Sequence, residues 1–116
     1  MDTHAASRHR RSARYPFVAK VTMKNLTSGS VLEGMTSDLS EGGCGVRVFE
    51  LFRTGSRIVV EIATSRTSLV TTATVAYSLP PGAMGLTFLD LSVDQKRILS
   101  GWLNEAIPTC RRNSTP

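Results

Sequence analysis

The sequence predicts a small, mostly β domain, an antiparallel barrel or sandwich whose last element is one helix. Short segments in which apolar and polar residues alternate, as in half-buried strands, are separated by turns rich in Gly, Ser and Pro. After residue 92 the apolar residues recur instead at helical spacing. Because closure removes the exposed edges of a sheet, we expect a β-barrel capped by the helix.

The strand segments can be followed in order along the chain. The first alternation places Phe17, Ala19, Val21 and Met23 on one face, and "NLTSGS" is the turn that follows it. "VLEGMTSDLS" and "CGVRVF" are extended on either side of the break at "SEGG", and "RTGS" leads into "RIVVEIA". After "TSRT" comes the longest alternation, from Leu69 to Tyr77, and "SLPPGA" separates it from a last short strand.

The final helix has start and stop signals. Ser92 followed by Gln95 matches a capping box, and Pro108 is expected to end the helix. Its apolar stripe, which we expect to cover the barrel, consists of Ile98, Leu99, Trp102, Leu103, Ala106 and Ile107. The predicted organisation is a flexible basic segment over 1–15, the barrel with its helix over 16–108, and a disordered tail over 109–116.

Length and composition fit one soluble domain. The chain has 116 residues, of which 41% are hydrophobic, and no apolar stretch approaches the length that spans a bilayer. The arginine-rich N-terminus lacks the apolar core of a signal peptide, so we expect a cytoplasmic protein without membrane insertion. The two cysteines and two histidines form neither a metal site nor a nucleophile–base pair, and no phosphate-binding or dinucleotide glycine motif occurs. We therefore predict no enzyme, no metal and no cofactor.

The positive charge is concentrated at the N-terminus. Six of the 14 basic residues but only one of the nine acidic residues lie within residues 1–24, so this segment carries the whole net charge of +5. Such a concentrated field indicates an anionic partner.

Two clusters narrow the partner further. One is the arginine run of Arg8, Arg10, Arg11 and Arg14, and the other is "TSDLSEGGCG" at residues 36–45. Alone, each has an ordinary explanation, a solvated tail for the first and turn chemistry with positive-φ glycines for the second. Together they suit guanine and phosphate: arginine forks onto either, a carboxylate accepts from the guanine edge, and a hydroxyl with glycine N–H groups suits a phosphate.

These residues resemble the PilZ domain, the bacterial receptor module for cyclic di-GMP (c-di-GMP). The family pattern RxxxR matches Arg10 and Arg14, and (D/N)xSxxG matches Asp38, Ser40 and Gly43. The strand after "RYPF", the "GVRV" strand and the ending "MGLTFLDLSVDQKRILSGWL" are similar to the family as well.

The resemblance implies a fold and roles for individual residues. The fold is a six-stranded antiparallel split barrel with a C-terminal helix. Arg10 and Arg14 would engage guanine and phosphate, while Asp38 and Ser40 would bind the base or phosphate from the barrel surface. Gly43 and Gly42 would let the loop approach the ligand, and Arg11 and Arg8 would add phosphate or stacking contacts.

The resulting hypothesis is a single-domain c-di-GMP receptor that orders its arginine segment on binding and signals to a partner protein. Two alternatives stay open at this point: a PilZ-like protein-interaction adaptor without nucleotide binding, and a small basic nucleic-acid-binding barrel. Few aromatic residues (6%) are available to stack bases, so we do not expect nucleic acid as the partner. The sequence leaves the ligand stoichiometry, the oligomeric state and the regulated process undetermined.

Overall fold

Seven strands precede one helix in the computed structural model, which describes the backbone of residues 13–114 and the side chains of residues 13–106. The strands are β1 (Tyr15–Pro16), β2 (Lys20–Asn25), β3 (Val31–Leu39), β4 (Gly43–Val48), β5 (Arg57–Ala63), β6 (Ser68–Leu79) and β7 (Ala83–Phe88), and the helix is α1 (Val93–Ser114).

Six of these strands close into an antiparallel barrel. The order around it is β2-β3-β4-β7-β6-β5, and β5 pairs back onto β2. The two-residue strand β1 adds to the end of β3, where Tyr15 faces Leu39 and Pro16 faces Asp38. The predicted six-stranded barrel with a C-terminal helix is confirmed.

The inward side chains of all six barrel strands form one apolar core. The alternation predicted for β2 is confirmed from Ala19 onward, since Ala19, Val21 and Met23 are buried. On β6 the pattern holds through Val75 but not at Tyr77, whose side chain lies outside the barrel and is 39% exposed. A register shift between Val75 and Tyr77 explains the difference, because an extra residue reverses the face of every side chain that follows.

The chain between β1 and β2 is fixed to the barrel by one buried hydroxyl. Thr36 Oγ1 accepts a 2.9 Å hydrogen bond from the Ala19 N–H and donates one of 2.6 Å to the Phe17 carbonyl oxygen. The Phe17 ring lies against Trp102 of α1, with 5.2 Å between ring centroids. The connection from β1 to β2 is thereby joined to both the barrel and the helix.

Replacing Thr36 by valine is expected to reduce the free energy of unfolding by about 2 kcal/mol, because the Ala19 N–H and the Phe17 carbonyl lose their buried partner. Urea denaturation followed by circular dichroism would measure the loss. The matched control is Thr22→Val on β2, where the threonine is half-buried and forms no side-chain hydrogen bond within residues 13–106. Equal losses in the two variants would contradict this role for Thr36.

Helix α1 covers the barrel with Leu99, Trp102 and Leu103, which are buried as the predicted stripe requires. Its capping box is only half formed: the Gln95 N–H donates to Ser92 Oγ at 3.2 Å, but Gln95 Oε1 accepts from the Val70 N–H at 2.8 Å. Val70 lies in the part of β6 that precedes the residues paired with β7. Gln95 therefore supplies an acceptor for a strand N–H that β7 does not bind.

The prediction that Pro108 ends the helix is wrong, because the backbone is helical from Val93 to Ser114. Proline keeps a helical φ and removes only one hydrogen bond, so a helix can continue through it at some cost. The tail expected over 109–116 is thus helical as far as Ser114, and residues 115–116 lie outside the described part. No helix within the described residues contains an apolar stretch long enough to cross a membrane.

Candidate functional site

The connection from β3 to β4 is built around the side chain of Ser40. Ser40 Oγ accepts hydrogen bonds from the Gly42 N–H at 3.3 Å and the Gly43 N–H at 3.2 Å, and it donates to the Gly43 carbonyl at 3.2 Å. A hydroxyl has one donor and two acceptor sites, so all its capacity is used within the turn. The residue is 3% exposed, and its direct ligand contact, expected from the family resemblance, stays a prediction.

Gly43 is required by a close approach between strands, not by a left-handed backbone. A Cβ atom at Gly43 would lie 1.8 Å from the Leu86 carbonyl oxygen on β7, whereas one at Gly42 would meet nothing within 4 Å. Among the described residues, only Gly29 and Gly55 have positive φ. The expectation that glycines of this connection supply positive φ is therefore wrong, whereas a serine that organises the turn is found at Ser40.

Asp38 is turned to the outer surface by a register shift in β3. Thr36 and Leu39 are both buried, and the shift between Thr36 and Asp38 leaves the two residues between them pointing outward. The Asp38 carboxylate lies over Gly45 on β4, where a Cβ atom would come within 2.6 Å of Asp38 Oδ2. Ser37 Oγ donates a 2.9 Å hydrogen bond to the same oxygen, which orients the carboxylate.

Arg14 reaches Asp38 from the segment before β1. Its guanidinium Nη1 forms an ion pair with Asp38 Oδ1, and both side chains keep access to solvent. Arg14 directly precedes β1, and β1 pairs with β3 at Asp38, so this pairing brings Arg14 close to the Asp38 carboxylate. The structure thus brings together Arg14, Asp38 and the Ser40 loop, while Arg8, Arg10 and Arg11 lie outside the described residues.

Three further residues border this surface and were missed from the sequence. The strand register aligns Asp38 with Gly45 on β4, then Gly85 on β7, then Tyr77 on β6. The Tyr77 ring covers Gly85, where a Cβ atom would lie 2.1 Å from a ring carbon. Because the carboxylate lies over Gly45 and the ring lies over Gly85, the two groups cover paired residues of adjacent strands, which are about 4.8 Å apart. An acceptor, a cation and an aromatic face on one surface suit a planar, anionic ligand.

Cys44 lies beneath this surface, on the inner face of β4. Burial raises the pKa of its thiol to about 12, and the nearby Asp38 carboxylate adds to the increase while the Arg14 guanidinium partly opposes it. Cys44 is a free cysteine, and its side chain is buried. A thiol held protonated in this way packs as a small apolar group and is a poor nucleophile.

Raising the pH from about 9 towards 12 is expected to destabilise the native protein through Cys44. The unfolded thiol ionises near its ordinary value of 9.0, whereas the native thiol stays protonated until about 12. The native state therefore binds more protons in this window, and the free energy of unfolding falls as the pH rises. Urea unfolding between pH 8 and 11, in a Cys110→Ser background, would show the fall. Cys44→Ala should flatten it, and an unchanged slope in that variant would exclude Cys44 as the cause.

A separate groove of about 560 Å³ lies between the β5–β6 turn and α1. Arg66, Arg97 and Trp102 contribute to its lining, but Arg14, Asp38 and Ser40 do not. The candidate site defined by the two sequence clusters is therefore on a different part of the surface.

Comparison with solved structures identifies PilZ domains with this fold. The PilZ domain of YcgR from Escherichia coli, solved with c-di-GMP, is 17% identical with a TM-score of 0.71, and the match covers 90% of this chain and 96% of that chain. The PilZ domain of CeSA from a cellulose-synthesizing bacterium is 20% identical with a TM-score of 0.64, covering 78% of this chain and 97% of that one. At identities this low, the structural similarity establishes a common fold and no more.

A third structure is the inhibitor of motility MotI/DgrA from Bacillus subtilis. It is 18% identical with a TM-score of 0.70, and the match covers 92% of this chain but 53% of that protein, so this chain spans about half its length. No curated protein sequence matches the chain. The family model for the PilZ domain matches residues 8–105, which is most of the chain. With both sequence motifs, the closed six-stranded barrel and this match in agreement, the chain belongs to the PilZ domain family.

Proposed function

We propose that this protein is a c-di-GMP receptor without catalytic activity, which binds its ligand where Arg14 meets Asp38 beside the Ser40 loop. The observation that carries the proposal is the contact between the Arg14 guanidinium and the Asp38 carboxylate. It unites the two sequence clusters, since Arg14 and Asp38 are 24 residues apart in the chain. The structure of the YcgR PilZ domain with c-di-GMP supports the choice of ligand.

The chemistry of the site fits a guanine nucleotide. An ionised carboxylate accepts from the N1–H and N2–H₂ edge of guanine, and a guanidinium forks onto O6 and N7 or onto two phosphate oxygens. Asp38 is held outward with one oxygen fixed by Ser37, so it can present an acceptor without rearranging β3. Arg10 and Arg11, with Arg8, would bring further cations from the preceding segment.

Ser40 acts in this proposal first as the residue that shapes the loop. Its hydroxyl and the Gly42 and Gly43 N–H groups are already bonded to one another. A ligand oxygen that contacts Ser40 or these amides must therefore exchange with one of those bonds. Gly42 contributes by keeping a side chain away from the approach to the loop, and Gly43 contributes by letting the loop end pack closely against β7.

Isothermal titration with c-di-GMP tests the proposal directly. The wild-type protein should release or absorb heat on binding, and Asp38→Ala and Arg14→Ala should each weaken affinity at least about 10-fold, the loss expected for one charge-assisted hydrogen bond. The matched control is Glu33→Ala, which removes an exposed carboxylate from the same strand. Absence of binding to wild type, or equal affinity in all four proteins, would refute the assignment.

We also propose that the N-terminal segment becomes ordered on the ligand and thereby signals to a partner protein. A fluorescence titration with c-di-GMP can follow this ordering. Trp102 is the only tryptophan of the chain, and its ring lies against Phe17, three residues after Arg14. Ligand binding should therefore change Trp102 fluorescence, and Phe17→Leu should reduce the change without abolishing the binding heat. Binding heat with constant fluorescence in the wild type would count against ordering through this contact.

A further inference from the structure

We propose that the Arg47 face, defined as Met35, Arg47, Phe49 and Leu79, binds a segment of a partner protein that combines apolar side chains with a carboxylate. The proposal rests on exposure, register and charge on the outer barrel surface. It does not depend on nucleotide binding, although it lies beside the proposed ligand site.

The Arg47 face follows from the strand order. Met35 on β3 is paired with Arg47 on β4, Arg47 with Ala83 on β7, and Ala83 with Leu79 on β6. Directly opposed residues of neighbouring strands are in contact range, so these four side chains form one continuous row. Phe49 follows two positions after Arg47, just past the end of β4.

Three large apolar side chains of the Arg47 face are exposed. Phe49 is 98% exposed, Leu79 is 54% exposed and Met35 is 45% exposed. The outward residues of β2, in contrast, are Lys20, Thr22 and Lys24, as expected for a solvated face. Single exposed apolar residues need no explanation, but a group of them on adjacent strands marks an interaction surface.

Arg47 gives the surface its chemical preference. It lies at the centre of the row, is exposed, and has no carboxylate within ion-pair distance among residues 13–106. Arginine and aromatic residues dominate the energetics of protein interfaces, and an arginine surrounded by apolar groups favours a carboxylate partner. The complementary segment therefore carries Asp or Glu between apolar side chains.

Two neighbouring acidic residues argue against a lipid surface. Glu33 is next to Gly34 on β3, and Gly34 is paired with Val48, the residue before Phe49. Glu50 directly follows Phe49. Lys20 on β2 is paired with Met35, so two carboxylates lie beside two cations and leave no net positive charge, whereas anionic membranes and nucleic acids select clusters of basic residues.

The shape of the surface argues against a second copy of the chain. The outside of a barrel is convex, and two convex faces bury little area, whereas a stable complex buries about 800 Å² per partner. A single extended or helical segment can instead lie along the row between Phe49 and Met35. Closure of the barrel leaves no free edge on β4, so recognition must use side chains.

The row also adjoins the candidate ligand site. Gly45, which lies beneath the Asp38 carboxylate, is two positions before Arg47 on β4, and Tyr77 is two positions before Leu79 on β6. A segment bound to the Arg47 face would therefore reach the edge of the surface where we place the ligand.

Selection of random 12-residue peptides displayed on phage, with the full chain as target, tests the proposal. Wild-type binders should combine Asp or Glu with Leu, Ile, Phe or Trp, and their affinity, measured by fluorescence anisotropy, should fall at least 10-fold in Phe49→Ser and Arg47→Glu. Selection with the Arg47→Glu variant as the target should yield peptides with Lys or Arg instead of Asp or Glu. Arg57→Glu on β5 is the control for charge reversal, and Asp38→Ala should still bind, which separates this proposal from the nucleotide site.

Three outcomes would overturn the proposal. Peptides that bind Phe49→Ser as tightly as wild type would show that another surface is recognised. If the wild type dimerised in sedimentation analysis and Phe49→Ser abolished the dimer, the face would be assigned to a second copy of the chain. Binding to phosphatidylglycerol vesicles that depends on Phe49 would assign it to lipid. Because Phe49 is almost fully exposed, its replacement leaves the core unchanged.

Discussion

Gly43→Ala is expected to reduce the free energy of unfolding by at least about 3 kcal/mol, since overpacking in a well-packed region costs about 1–3 kcal/mol and here the clash is with main chain. The added Cβ atom would lie 1.8 Å from the Leu86 carbonyl oxygen. Gly43 is paired with Thr87, so relief requires β4 and β7 to separate at this pair. Urea denaturation would measure the loss, and a soluble but poorly packed protein would show weak near-ultraviolet circular dichroism.

Gly42→Ala is the matched control, because the same methyl group is added one residue earlier. At Gly42 the new Cβ atom meets nothing within 4 Å, and the residue has no positive φ. We expect no loss, or a gain of up to about 1 kcal/mol, since alanine restricts the unfolded chain more than glycine does. If the two variants were equally stable, the close approach of β7 would not be the reason for glycine at position 43.

The elements of the fold were predictable where the pattern is local. Alternation identified the buried residues Val21 and Met23 on β2, and the spacing of Leu99, Trp102 and Leu103 identified the helix face. Each of these patterns depends on a single strand or helix, whose side-chain period is fixed by backbone geometry. The exceptions occur at irregularities, such as the register shift that turns Tyr77 outward.

The candidate site was predictable in its residue types and not in its arrangement. Asp38 and Arg14 were identified by motif, and the structure joins them. The row from Asp38 through Gly45 and Gly85 to Tyr77 depends on the order β3-β4-β7-β6, which no local pattern contains. The hydrogen bonds that occupy the Ser40 hydroxyl likewise depend on the three-dimensional path of the loop.

Exchanging the charges of Arg14 and Asp38 is expected to separate their contribution to stability from their contribution to ligand binding. Both side chains are partly exposed, so the ion pair contributes at most about 1 kcal/mol to the free energy of unfolding. Arg14→Asp and Asp38→Arg each place like charges together, and each should weaken c-di-GMP binding about 100-fold or more, because one interaction is lost and one repulsion is gained. Urea denaturation and isothermal titration would measure the two effects.

The double variant Arg14→Asp, Asp38→Arg distinguishes two roles for the pair. It restores an ion pair between the same positions, so its free energy of unfolding should return to within about 0.5 kcal/mol of wild type. Its affinity for c-di-GMP should stay as low as in the single variants, because the acceptor for the guanine edge has left the surface of β3. Recovery of affinity in the double variant would mean that the two residues only hold the N-terminal segment against the barrel. Retained loss would show that the ligand distinguishes a carboxylate on the strand from a guanidinium on the preceding segment.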